Sequence, residues 1–188
     1  MFMRNAYCSG LILALSVLSC VASAQTKFNI GKPATEQEVK GWDIDVSPSG
    51  AGLPAGSGSV AQGGRLYAEK CAACHGAKGE GKPADRLVGG QGTLKAASPV
   101  KTIGSFWPYA TTIYDYVYRA MPYNAPQSLS ANETYALTAY LLHMNGILGA
   151  DATLDAVSLP KIRMPNRDGF VSDGRPDTFN TPCRSDCK

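Results

Sequence analysis

The 188-residue chain is short of several things that mark common functions. It has no basic tract, and a formal net charge of only +3 leaves no electrostatic footprint for nucleic acid. It has no internal repeat, which sets repeat architectures aside. Histidine occurs twice, as His75 and His143. No acid, base or nucleophile constellation can be assembled, so the chain is not expected to catalyse a reaction alone. After its first residues it has no apolar run near the ~20 residues a membrane span needs, so the mature chain is expected to carry no transmembrane span. Glycine and proline, in contrast, number 20 and 12, which implies much irregular structure around whatever core exists.

The amino end reads as an export leader. Arg4 is the only charge before Lys27, "GLILALSVLSCVASA" follows, and Ala22-Ser23-Ala24 supplies a small-x-small cleavage site. Cleavage is expected after Ala24, with delivery to the periplasm. Lipidation of Cys20 within Val17-Leu18-Ser19-Cys20 is the alternative, and Leu18 fits it poorly. Ordinary cleavage reduces six cysteines to Cys71, Cys74, Cys183 and Cys187. In an oxidising compartment each needs a partner.

The remainder divides into residues 25–58, an extension; 59–146, a compact domain; and 147–188, a second extension. In the first, "TEQEVKGW" reads as a short helix begun by Thr35, "WDIDV" alternates like a strand, and "SPSGAGLPAGSGS" reads as flexible. In the domain, Ser59 caps a helix "VAQGGRLYAEK" that runs into "CAACHG". "TTIYDYVYRA" is a second helix, closed at Met121-Pro122. "SANETYALTAYLLHMNG" is a third, with a Ser130–Glu133 capping box and Gly146 as its stop. Its Leu137, Tyr140, Leu141 and Met144 share one face. The last extension reads as ordered loop wrapped over the core.

Cys71-Ala72-Ala73-Cys74-His75 is the attachment pattern of c-type haem. Two thiols at this spacing can add to the two vinyl groups of one porphyrin, and the adjacent imidazole can reach the iron. A redox dithiol would want a βαβ surrounding that the pattern lacks. A zinc site built from Cys71, Cys74, Cys183 and Cys187 would leave His75 idle. Candidates for the sixth iron ligand are Met121, Met144, Met164 and His143. Met121 stands in the loop "RAMPYNAPQ" between two helices. Met144 and His143 fit core and helix-end roles. Met164, in "RMPN", is the rival and needs the tail to fold over the haem. His with Met makes an electron-transfer centre of raised potential; an open sixth position would instead suit a five-coordinate enzyme or sensor. Cys183 and Cys187 are near enough in sequence for one disulfide. Asn132-Glu133-Thr134 matches a glycosylation sequon, but it opens a helix. Residues 65–101 carry seven basic residues against three acidic, which reads either as a docking face for an acidic redox partner or simply as a solvated surface.

These residues resemble the class I cytochrome c family: mainly α, with a helix ending at CxxCH, a loop methionine, and a last helix crossing the first. Gly63 and Tyr67 match one side of that crossing, Leu137 and Tyr140 the other. A narrower resemblance covers most of the mature chain. "GWDIDVSPSGAGLPAGSGSV", "LVGGQGTL", "PVKTIGSFWPYATTIYDYVYRAMPYNAPQSLS" and "MPNRDGF" are similar to the SoxD family, haem subunits of sulfane dehydrogenases whose SoxC partner carries a molybdenum cofactor. The resemblance implies one covalent haem c at Cys71 and Cys74, iron ligands His75 and Met121, and a partner contact around Trp42. Longer members carry a second haem domain; here there is one CxxCH. The expected function is single-electron transfer from a SoxC-like or sulfite-oxidising molybdenum subunit to a soluble cytochrome c. The two extensions are more than an isolated shuttle needs, although a free diffusible cytochrome remains the alternative.

Overall fold

A computed structural model describes residues 30–175; the leader, Cys20 and the Cys183–Cys187 pair lie outside the described residues. The elements are α1 (Glu36–Trp42), β1 (Ser57–Ser59), α2 (Val60–Lys70), α3 (Ala72–His75), α4 (Ala110–Ala120), α5 (Ala131–Met144), β2 (Thr153–Asp155) and one 3-10 turn (Leu159–Lys161). The chain divides into two units between Val39 and Lys40. α1, which straddles that division, is closed by reciprocal hydrogen bonds: the Thr35 N–H donates to Glu38 (2.7 Å) and the Glu38 N–H donates to the Thr35 hydroxyl (3.2 Å). It buries none of its residues.

The main helices start where the sequence places caps. The Ser59 hydroxyl accepts from the Gln62 N–H at 3.2 Å, and the Gln62 side-chain oxygen accepts from the Ser59 N–H at 2.8 Å. Ser130 and Glu133 repeat this box at the head of α5, and the bonds from Ser130 hold the Glu133 carboxyl below the usual range. Each box satisfies two N–H groups that a helix start otherwise leaves without partners. α4 ends at Ala120 because the next residue precedes proline; Met121 is extended, with φ −120 and ψ 151.

α2 and α5 pack closely, and glycine makes this possible. A Cβ on Gly63 would stand 2.6 Å from the Ala136 carbonyl carbon and 2.7 Å from the Tyr140 Cβ. Beside this contact the Tyr67 and Tyr140 rings lie 5.4 Å apart. The expected pairing of Gly63 and Tyr67 with Tyr140 is present, but the surface facing Gly63 is the Ala136 backbone, not Leu137. α5 also differs from its expected single apolar face. Thr134 to Ala139, Leu141 and Leu142 are all buried, as in a helix enclosed on nearly every side. The buried threonines are satisfied within the helix: the Thr138 and Thr134 hydroxyls donate to the carbonyls of Thr134 and Ser130. Tyr67, Ile113, Tyr114, Tyr135, Leu142 and Leu159 are essentially inaccessible, each contributing about 1.5–3 kcal/mol of transfer free energy.

Two local expectations fail. "WDIDV" forms no strand. Ile44 and Val46 do turn inward while Asp43 and Asp45 face out, but no strand lies beside them. The Val46 N–H donates instead to Asp115 at 2.8 Å. The Gly-rich stretch after it follows a fixed path on the core: the Tyr135 hydroxyl donates to the Pro54 carbonyl, and the Ser57 N–H donates to Asn132, both at 2.9 Å. The described strands are short and polar. β1 pairs antiparallel with β2, Gly58 opposite Leu154, so the two extensions meet. The described part of the second extension lies on the core from Leu154 to Asn166. Leu154, Leu159 and Met164 are buried, and the Asn166 amide donates to the Phe106 carbonyl at 2.7 Å.

Candidate functional site

α2 delivers the CAACH motif. The Cys71 N–H still donates to the Tyr67 carbonyl (2.9 Å), and the Cys74 and His75 N–H groups donate to Cys71 (3.1 and 3.0 Å). Cys71, Cys74 and His75 are thus at i, i+3 and i+4 of one helical turn, which places them on one side. Gly76, at φ 81, then reverses the chain in a conformation that favours glycine. The Tyr67 hydroxyl donates to the Gly76 carbonyl at 2.9 Å. The Gly81 N–H donates to His75 (2.8 Å) and the Ala84 N–H to Cys74 (2.9 Å), folding the following loop back over the motif.

His75 Nδ1 lies 2.8 Å from the Asp85 carbonyl oxygen. A carbonyl only accepts, so Nδ1 carries the proton and donates, leaving the Nε2 lone pair for a metal. Both cysteines are free. Burial pushes the Cys71 thiol up to about 11, against the pull of Lys70. A thiol protonated at neutral pH is the opposite of the low-pKa attacking cysteine of redox dithiols. The βαβ surrounding is also absent: the sheet among the described residues is one antiparallel pair.

Cys71, Leu87, Trp107, Tyr118, Met121 and Met144 are half-buried against the core. With two free thiols and an imidazole presenting Nε2, the residues fit covalent haem. Met121 stands half-buried just past the end of α4, its N–H donating to Val117 at 3.1 Å. Met164 is only 1% exposed, within the main apolar core. His143 Nδ1 bonds the Leu148 carbonyl at 3.0 Å, in keeping with a helix-end role.

Sequence reasoning missed Asn145. Its amide donates to the carbonyls of Leu87 (3.1 Å) and Leu141 (2.9 Å) and accepts from the Gly89 N–H (3.2 Å). One buried side chain thereby fixes the loop after the motif to the end of α5. Thr102 and Ser105 continue the clamp: the Thr102 hydroxyl donates to Gly89, and the Ser105 hydroxyl to Val100 at 2.7 Å. Asp115, whose carboxylate also takes both Nε and Nη2 of Arg119 (2.9 and 2.6 Å), was missed too. An Asn beside a helix-ending Gly and an Asp inside a helix give no sign in sequence of such distant partners.

Two thiols and an imidazole on one helical turn, at the spacing of covalent haem attachment, mark a c-type cytochrome. A cytochrome c family model matches residues 60–145. A solved chain from "Crystal Structure of the Sulfane Dehydrogenase SoxCD from Paracoccus pantotrophus" is 44% identical, with a TM-score of 0.75, over 86% of this chain and 83% of that one. No curated protein matches. The chain belongs to the cytochrome c family, whose members transfer electrons through covalently bound haem c. Within the family it is SoxD-like. Among the described residues no helix is long and apolar enough to cross a membrane.

Proposed function

We propose that the chain is the periplasmic haem subunit of a molybdenum-dependent sulfane or sulfite dehydrogenase, passing single electrons from that enzyme to a soluble cytochrome c. The observation that carries the reading is the 44% identity to a chain of the SoxCD sulfane dehydrogenase across 86% of this chain. Likeness over that span includes both extensions as well as the haem-binding domain.

In this reading Cys71 and Cys74 would hold one haem by thioether bonds, and His75 Nε2 and the Met121 sulfur would bind its iron. Bound haem c supplies a one-electron iron couple. The protein's residues set its working conditions. The Asp85 carbonyl orients His75 and makes its ring a better donor. The Met121 thioether favours ferrous iron and raises the potential. Exposed Lys70, Lys78, Lys82 and Arg86 border the motif in the chain and suit an acidic acceptor. Trp42, 88% exposed, is assigned to the dehydrogenase contact. Mature residues 25–58 and 147–188 flank the haem domain 59–146, and Cys183 and Cys187 form a staple in the tail.

The test is purification from the native host. A co-purifying molybdenum subunit, with haem reduction by sulfite or by a sulfane-bearing protein, is the expected result. A lone species at monomer mass, unreduced by either, would establish the free shuttle instead. Loss of the far-red sulfur-to-iron absorption band in Met121→Ala identifies the sixth ligand and excludes a five-coordinate enzyme or sensor. If the band persists, Met164 is the next residue to substitute.

A further inference from the structure

We propose that Asp115 is a positioning residue for Met121, acting with residues 46–54, which form a strap along α4. The inference rests on Met121 being the sixth ligand. α4 has no side-chain cap at its start, and its end is simply the residue before Pro122. Neither end fixes where the helix sits along its axis. A stripe on one face does so. Thr111, Asp115 and Arg119 are spaced at i, i+4 and i+8 and therefore lie in line. The Thr111 hydroxyl donates to the Pro48 carbonyl at 3.2 Å. Asp115 Oδ1 accepts from the Val46 N–H at 2.8 Å. Arg119 closes both carboxylate oxygens from the last helical turn, two residues before Met121.

The Asp115 side chain is 12% exposed and that of Arg119 46%. A largely desolvated carboxylate with three donors is a strong fixed point. Its other end is anchored independently of α4. Within the strap the Ser47 N–H donates to Ala51 at 2.9 Å. Pro54 is held by Tyr135 of α5 at 2.9 Å. Gly50 lies so close to Pro160 that an added Cβ would meet the proline ring. The opposite side of α4 presents Ile113, Tyr114 and Val117 to the core. α4 is thus gripped between core and strap, and Met121 leaves it at the strapped end. Loosening the stripe lets the last turn shift, and a methionine that shifts yields its place to a competing ligand.

The experiment measures imidazole binding to the ferric holoprotein, the far-red band, the reduction potential and the thermal midpoint. It compares wild type, Asp115→Asn, Asp115→Ala, Arg119→Gln, Thr111→Val and Met121→Ala. Asp115→Ala is expected to bind imidazole roughly tenfold more tightly, equivalent to about 1.4 kcal/mol, with a weaker band and a lower potential. Asp115→Asn keeps the shape and one acceptor and should fall between it and wild type. If Asp115→Ala does not fold, Arg119→Gln and Thr111→Val carry the test, each with a smaller rise in imidazole affinity. A drop in thermal midpoint with imidazole affinity, band and potential unchanged would make the stripe structural only and overturn the inference. Met121→Ala separates the two readings: a persisting band there refutes the ligand assignment and the inference with it, whereas a lost band with unchanged stripe variants refutes the inference alone.

Discussion

Replacing Gly63 by alanine tests whether the α2–α5 contact is set by the absence of one carbon atom. In an exposed helix the change would gain about 1 kcal/mol from propensity alone. Here the new Cβ would lie 2.6 Å from the Ala136 carbonyl carbon, and ordinary contact begins at 3.4 Å. The Ala136 carbonyl oxygen is closer still, so the helices must separate by at least about 0.8 Å, since the obstacles at this point, the Ala136 backbone and the Tyr140 Cβ, belong to the packed body of α5. A gap of that width forfeits a quarter to a half of each dispersion contact along the seam. Overpacking and lost contacts together outweigh propensity, for a net loss of about 2–4 kcal/mol. Gly64→Ala is the control. Its Cβ would meet only the Tyr140 ring edge, at 3.1 Å, which can swing aside, so the propensity gain nearly offsets the contact. Denaturant unfolding of both holoproteins measures the difference. A Gly63→Ala protein as stable as wild type, or equal to Gly64→Ala, would refute the close-approach account.

Asn145→Ala is expected to cost about 2–4 kcal/mol, because three hydrogen bonds to buried or half-buried backbone are lost at once; chemical denaturation checks it, and a cost under about 1 kcal/mol would show that water replaces the clamp. Burial raises the Tyr67 and Tyr135 phenols from 10.0 to about 12, and Tyr114 further. An unfolded chain loses these protons first, so their contribution is complete below pH 10 and is lost as pH rises toward about 12. Ultraviolet phenolate titration should show a late-titrating group that coincides with alkaline unfolding. Deleting residues 25–42 should leave the thermal midpoint unchanged, since α1 buries nothing, while abolishing co-purification of the molybdenum subunit; a retained partner would remove Trp42 from the interface.

The parts legible in sequence were those governed by local rules. Ser59 and Ser130 announce their helices by cap chemistry, CAACH announces its cofactor by spacing, and Pro122 ends α4 by sterics. The parts that were not legible depend on partners far along the chain. Ile44 and Val46 alternate as a strand would, yet the Val46 N–H bonds a carboxylate 69 residues away. Ser57–Ser59 and Thr153–Asp155 are too short and polar to read as strands, and pair only because the extensions converge. The near-total burial of α5 could not be read from its own residues, because Thr134 and Thr138 look polar until their hydroxyls are seen bonded within the helix. Asn145 is the clearest case: its three partners, in residues 87, 89 and 141, become neighbours only after folding.

The extensions at first argue for a partner, since a free shuttle has little use for them, but their packing changes what they can support. β1 and β2 join them, Pro54 is bound by α5, Val46 by α4, and Leu154, Leu159 and Met164 complete the core. These described residues of the extensions are therefore explained by the fold itself. What the fold does not explain is the amino end, where Ile30, Val39 and Trp42 are exposed within thirteen residues and α1 presents no buried side. Single exposed apolar residues are ordinary on protein surfaces, but three within thirteen residues that bury none of their own make this stretch the candidate for a contact made elsewhere. The case for a permanent partner thus moves from the length of the extensions to this short stretch, together with the similarity to a chain from a solved dehydrogenase complex.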